Sequence, residues 1–378
     1  MKGPATVTGD GSRLRVALVF GGRSGEHEVS VVSARSVAAA LDPARFVVVP
    51  MAVDRSGRWA APETAAAVLY GGGARPDAVD PFTGASRLDP RLAAGEVDVV
   101  LPILHGPFGE DGTIQGLCEV LDLPYAGCGV AGCAVTMDKV LTKRLLVQAG
   151  LPTPAFEAVT ASEWEGARDD CLDRCLALPL PLFVKPARLG SSVGITKVGK
   201  AETLADAMAT AFGYDDTVIV EEGLDAREIE VAVLDGTPPL ASVPGEVVPG
   251  REFYDYADKY LESGSRLLAP APLEPGQETA VRRRALEAFS ATGCEGMARV
   301  DFLLERGSGR VAVNEINAIP GFTSISMYPR LLALSGVPFR ELVSRLVELA
   351  LQRHARRGRL AAAALRPLSE RAGGPGAV

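Results

Sequence analysis

No two cysteines in this chain are spaced CxxC. The six present are Cys118, Cys128, Cys133, Cys171, Cys175 and Cys294. Cys171 and Cys175 are one helical turn apart, but no histidine or second pair completes a zinc set. They read as buried, reduced thiols of a cytoplasmic protein. A basic excess is also lacking. The 378 residues carry 47 acids against 39 Lys plus Arg, a net charge of -8. A nucleic-acid surface needs a basic patch, so that class is excluded. Small anionic ligands are not, because a few placed cations suffice. No apolar run has the length of a membrane span: Val16-Ala17-Leu18-Val19-Phe20 is far too short and carries no signal-peptide cleavage pattern. The phosphate loop GxxxxGK[ST] is missing. So is GxGxxG after the first strand, since Gly21-Gly22-Arg23-Ser24-Gly25 has the wrong spacing.

What is present is ordinary globular composition, 47% hydrophobic and 23% charged. The length suits two or three domains. Residues 15–20 read as a buried parallel strand, 29–41 as a helix and 46–53 as a second strand. That βαβ order implies a parallel sheet. Residues 99–104 are another buried strand, ending at His105-Gly106. Gly109-Glu110-Asp111-Gly112 reads as a turn before a helix over 113–121. Residues 135–149 read as one helix with Lys139 in its first turns. A strand over 182–185 runs into Gly190-Ser191-Ser192-Val193-Gly194, and another covers 218–222. Strands follow at 228–234 and 240–248, a loop at 253–260 and a helix at 278–292. Residues 298–304 and 311–316 form a hairpin around Glu305-Arg306-Gly307-Ser308-Gly309. The last helix is expected over 338–351. The predicted units are 14–127, 128–220 and 221–353, with 1–13 and 354–378 as mobile termini.

The hairpin carries the chemistry. Side chains alternate along a strand, so Arg299, Asp301 and Leu303 share one face, and Val313, Glu315 and Asn317 share another. If these faces coincide, two carboxylates and an amide converge, a donor set for Mg²⁺ rather than zinc. The bland alternative is a solvated strand end, but these acids stand in apolar runs where unpaired burial is expensive. Pro320-Gly321-Phe322 follows; the Gly321 N–H, with Arg299, could form an oxyanion hole. Lys185 ends an apolar strand and must direct its ammonium at an anion or water. The Gly190–Gly194 loop beside it offers N–H groups and hydroxyls to phosphate. Lys139 alone reads equally as a solvated lysine. Glu221, Glu222 and Glu228, at strand ends, suit the base and ribose of a nucleotide, or only strand ends.

Together these segments resemble the D-alanine–D-alanine ligases of the ATP-grasp superfamily. The resemblance rests on Gly21-Gly22-Arg23-Ser24-Gly25-Glu26-His27-Glu28-Val29-Ser30, His105-Gly106 with Gly109-Glu110-Asp111-Gly112, and Met137-Asp138-Lys139. It extends through Lys185-Pro186 with the Gly-Ser loop, Tyr254-Asp255-Tyr256 with Lys259-Tyr260, Arg299-Val300-Asp301, Asn314-Glu315-Ile316-Asn317 and Pro320-Gly321-Phe322-Thr323-Ser324. It covers residues 15 to about 352, in order. It implies a three-domain α/β fold: a doubly wound parallel-sheet domain, a small central α+β domain and a C-terminal α+β domain, with ATP between the last two. It implies ATP-driven joining of two D-alanines through a D-alanyl phosphate. By matching position, Glu26 would bind the first D-alanine's ammonium, with Ser191 and Tyr260 bonded to it and His105 beside that substrate. Lys139, Lys185 and Lys259 would meet ATP along with Glu221 and Glu222, and Glu228 its ribose. Asp301, Glu315 and Asn317 would hold one or two Mg²⁺ (or Mn²⁺). Arg299 and Gly321 would stabilise the oxyanion, and Ser326 and Met327 would contact the second D-alanine. Relatives that use D-lactate lack the Tyr-Asp-Tyr and Lys-Tyr pairs, so an amine nucleophile is expected. D-Serine, or another carboxylate–amine pair, is the alternative. The family suggests a homodimer through the first domain.

Overall fold

The computed structural model describes residues 13–71, 86–248 and 266–364. Tyr254, Asp255, Tyr256, Lys259 and Tyr260 lie outside the described residues.

The first unit is a parallel sheet, as the βαβ order predicts. β1 (Leu14–Gly21) is almost wholly buried, because a central parallel strand is covered on both faces. It pairs in parallel with β2 (Phe46–Val53) on one side and, after helices α1 (His27–Ala40), α2 (Pro62–Tyr70) and α3 (Pro90–Ala93), with β3 (Val99–Pro102) on the other. Gly21 closes β1 at φ 90°, where an added Cβ would lie 2.2 Å from the Val53 carbonyl oxygen. Only glycine fits that turn, and the turn aims the chain at α1. Helix α4 (Thr113–Val120) follows β3.

The expected helix over 135–149 is two helices. α5 (Val130–Met137) ends and α6 (Lys139–Gln148) begins at Asp138, whose carboxylate accepts from the Val140 and Leu141 N–H groups. An N-cap acid starts a new helix, so Lys139 is the first residue of α6.

The second sheet is antiparallel, in the order β4 (Phe156–Thr160), β7 (Thr217–Glu222), β5 (Leu182–Pro186), β6 (Thr196–Val198). Helices α7 (Ala161–Gly166), α8 (Arg168–Leu176) and α9 (Leu204–Phe212) accompany it. Cys171 and Cys175 belong to its core with Leu182, Val184 and Met208. All six cysteines are buried and unpaired.

The third sheet runs β11 (Arg266–Leu268), β10 (Gly245–Val248), β8 (Ala226–Leu234), β12 (Met297–Glu305), β13 (Val311–Asn317), with β9 (Leu240–Ala241) on β8. Helix α10 (Pro275–Ala291) packs on it, and α11 (Met327–Leu334) and α12 (Phe339–Ala364) complete the described chain.

One expectation changes here. The last helix does not stop at residue 351. It runs to Ala364, and Arg353 reaches back to the first unit and donates to the carbonyls of Gly127 and Tyr125 at 2.7 and 2.6 Å. One apolar core also spans the units. Val16, Leu18 and Phe20 of β1 share it with Tyr328 and Leu332 of α11 and Leu342, Leu346 and Val347 of α12. The last two helices therefore cover the parallel sheet and fix it against the third sheet.

Candidate functional site

The β12–β13 hairpin brings the expected oxygen donors together. Asp301 is the cross-strand partner of Glu315, and Arg299 of Asn317. The Asn317 amide lies 2.9 Å from Asp301 Oδ2. One residue of the pattern was misassigned. The register shifts between Asp301 and Phe302, leaving Asn314 as an extra residue on β13. A bulge of that kind breaks strict alternation. Val313 consequently joins the core with Phe302 and Ile316 rather than sharing a face with Glu315 and Asn317.

Arg299 is half-buried and its fork grips Asp301, with Nε–Oδ1 at 2.7 Å and Nη2–Oδ2 at 2.6 Å; Glu230 Oε2 is 3.3 Å from Nε. Burial opposes the charge, but Asp301, Glu230 and Glu315 hold the guanidinium well above its ordinary pKa. It is a fixed cation beside two acids that suit a hard metal. Among the described residues no three His, Cys, Asp or Glu side chains assemble as a metal cluster. Here the third donor is an amide. That composition fits Mg²⁺ or Mn²⁺, which take few protein ligands and fill their shell from phosphate and water.

The turn after β13 is held by the first unit. His105 Nδ1 lies 3.0 Å from the Ile319 carbonyl and its Nε2 lies 3.2 Å from Ser33 Oγ. A carbonyl only accepts, so Nδ1 carries the proton and Ser33 donates to Nε2. Burial lowers the His105 pKa against the raising effect of Glu26, which keeps the ring neutral. Ser33 Oγ in turn accepts from the Phe322 N–H. Glu110, read from sequence only as part of a turn, accepts from Gly106 N–H at 2.9 Å and Ile319 N–H at 3.1 Å. Both flanks of Pro320-Gly321 are thereby clamped to the first unit. Burial, then the charge of Glu26, push the Glu110 carboxyl up to about 8. A carboxyl raised in the folded state stabilises it below the unfolded value near 4.5, and that contribution is lost as pH rises through about 8. Glu110→Gln, permanently neutral, should flatten the fall in melting temperature between pH 5 and 8. Parallel pH profiles for the two proteins would remove Glu110 as the cause.

Glu26 stands at the start of α1, and an added Cβ on Gly106 or Gly190 would lie 3.1 or 3.5 Å from its Oε2. The Gly-Ser loop of the second unit thus meets the first unit over this carboxylate. Ser191 and Ser192 hold φ 52° and 60°, a conformation uncommon outside glycine and typical of strained functional loops. Lys139 Nζ donates to the Leu189 carbonyl of the same loop at 2.5 Å.

Lys185 donates to Glu221 Oε2 at 2.7 Å, and Lys143 approaches Glu221 Oε1 at 3.2 Å. Burial would raise the Glu221 carboxyl, but the two lysines hold it at about 2. Glu222 instead accepts from Ala155 N–H and from Arg310 at 2.9 Å, tying β7 to β4 and the hairpin. Glu228 lies on β8 opposite Leu303 and contributes to raising the Lys185 pKa. Ser326 Oγ is 2.7 Å from Thr323 Oγ1 and lies near the position of a Gly321 Cβ. Met327 follows Ser326 at the start of α11. Its side chain belongs to the core and packs on Gly245, where a Cβ would meet Sδ at 2.6 Å; an apolar side chain at the foot of α11 is drawn to the shared core. The residues that sequence reading missed are Glu110, Glu230 and Lys143. Only Lys143 left a signal, its spacing of one turn from Lys139.

Two family models match: "D-ala D-ala ligase N-terminus" over residues 15–128 and "D-ala D-ala ligase C-terminus" over 145–348. The chain belongs to the D-alanine–D-alanine ligase family. A D-alanine–D-alanine ligase of Solibacter usitatus is 47% identical over 90% of this chain and 97% of that relative. One of Kineococcus radiotolerans is 49% identical, also over 90% and 97%. Among solved structures, the D-alanine–D-alanine ligase from Coxiella burnetii matches with TM-score 0.78 and 34% identity over 93% of this chain and 97% of that one. The VanG D-Ala:D-Ser ligase from Enterococcus faecalis matches with TM-score 0.77 and 31% identity over 90% and 100%. The three sheets are those of a three-domain ATP-grasp ligase. No helix among the described residues is long and apolar enough to cross a membrane.

Proposed function

We propose that this chain joins two D-alanines into D-alanyl-D-alanine, converting ATP to ADP and phosphate, to supply a peptidoglycan precursor in the cytoplasm. The observation that carries the reading is the convergence of all three units on one place. Glu26 lies under the Gly-Ser loop, and the Pro320-Gly321 turn is clamped by His105, Ser33 and Glu110 beside Arg299 and the hairpin acids.

Glu26 would hold the first D-alanine's ammonium, with His105 beside it. The carboxylate of that D-alanine attacks the γ-phosphorus of ATP; the bond to the ADP oxygen breaks and an acyl phosphate forms. The second D-alanine's amine, near Ser326, then attacks the carbonyl carbon, loses a proton, and phosphate leaves. Arg299 and the Gly321 N–H would stabilise the oxyanion of that second step, fixed by hydrogen bonds made before any substrate arrives. Lys139 and Lys185 would position the phosphates, and Glu228 the ribose. Asp301, Glu315 and Asn317 would hold one or two Mg²⁺ (or Mn²⁺), which neutralise phosphate charge when bound. Ser191, with Tyr260 and Lys259 outside the described residues, would close the loop and keep water from the acyl phosphate. We further propose a homodimer through the first domain.

Product analysis tests the reading. The purified protein, given ATP, Mg²⁺ and an equal mixture of D-alanine, D-serine and D-lactate, should release phosphate and form mainly D-alanyl-D-alanine. A mixture dominated by D-alanyl-D-serine would replace the second substrate, and no dipeptide at all would remove the reading.

A further inference from the structure

Lys143 has no place in the reaction just described, yet it is 1% exposed. It lies on α6 one turn after Lys139, on the same helix face. Its ammonium donates to Thr153 Oγ1 at 2.8 Å and reaches Glu221 Oε1 at 3.2 Å, with the Phe156 ring 5.8 Å away. Glu221 gives its other oxygen to Lys185 at 2.7 Å. Glu315 acts electrostatically on both lysines. The site therefore contains a row of alternating charge: Lys143, Glu221, Lys185.

In that row Lys185 is already taken. When Lys185 turns toward a phosphate its hold on Glu221 Oε2 weakens, and a buried carboxylate left without a cation is strongly disfavoured. Lys143 removes the difficulty, because Glu221 keeps one ammonium when the other leaves. We propose that Lys143 is a positioning residue: it holds the Glu221 carboxylate in place so that Lys185 can exchange Glu221 for a phosphate of bound ATP. The proposal rests on the reading of Lys185 as a phosphate contact. A filler role for Lys143 in the core makes a different prediction, since it would depend on side-chain volume and not on the charge of Glu221.

The test is steady-state kinetics on the full chain, with ATP and D-alanine varied separately. Lys143→Met should raise the KM for ATP at least tenfold while kcat changes less and the KM values for D-alanine stay put. The double variant Lys143→Met/Glu221→Gln should return the ATP KM to within threefold of Glu221→Gln alone, because a neutral Glu221 replacement needs no second cation. An unchanged ATP KM in Lys143→Met, or a defect that the double variant does not relieve, overturns the proposal. A Lys143→Met chain that cannot be purified while the double variant folds and binds ATP supports it; a double variant that stays unfolded counts against it. Lys185→Ala is measured alongside. If that variant keeps its ATP affinity, the assignment of Lys185 to phosphate fails, which is a separate outcome from Lys143 failing to act on it.

Discussion

Glu315→Gln is expected to lower kcat by a factor of roughly a thousand or more while leaving the fold intact, a loss on the scale of removing one major electrostatic contributor to a transition state. The substitution keeps the length of the side chain and one carbonyl oxygen. It removes a negative charge from a donor set of two carboxylates and an amide, and a hard cation shared with phosphates depends on that charge. Glu315 is the better of the two acids to change. Asp301 also receives both prongs of the Arg299 fork and the Asn317 amide, so Asp301→Asn would disturb a half-buried guanidinium and confuse a metal defect with a packing one. Raising Mg²⁺ should recover part of the lost rate in Glu315→Gln, with no change in its unfolding midpoint. A variant that turns over near the parent rate at ordinary Mg²⁺ would take Glu315 out of the metal site.

The legible part of this molecule was local. Strand alternation placed Asp301 and Glu315 correctly, because each strand's pattern is written within a few residues. The bulge at Asn314 was invisible, since one extra residue changes register without changing composition. The cap at Asp138 was available in principle: an acid before a new helical period is a start signal, but the apolar pattern ran on across it. Glu110 could not be found this way. Its meaning comes from the Ile319 N–H, 209 positions along the chain, and nothing near Glu110 announces that partner. The same holds for Glu221. As a strand-end acid it suited the base and ribose of a nucleotide, and in the fold its two oxygens also face two lysines from different elements. Charge pairing between distant segments is a property of the tertiary structure, and single-sequence reading has no access to it.

Arg353 shows the same limit at the level of stability, and it carries the second large expectation. Residues after 353 looked like a tail because Arg, Ala and Gly dominate and no apolar stripe continues. Yet Arg353 is 7% exposed, donates to the Gly127 and Tyr125 carbonyls, and stacks 4.2 Å over the Tyr125 ring. Glu295, at the entry to β12, lies 3.4 Å from it. One side chain on the last helix therefore joins the exit of the parallel-sheet domain to the strand that carries Arg299 and Asp301. Arg353→Ala leaves two buried carbonyls without their donor, and hydrogen bonds to a charged group are worth about 1.5–3 kcal/mol each, so a loss of roughly 3–6 kcal/mol is expected. Arg353→Lys should recover less than half of it, because an ammonium is a point donor and cannot fork to two carbonyls while lying flat on a ring. Urea or thermal unfolding of the three proteins at one pH measures this. Equal midpoints for Arg353→Ala and the parent would mean that the shared apolar core alone holds the last helix to the first domain. Recovery by lysine to the parent value would mean that charge, not the planar fork, is what the joint requires.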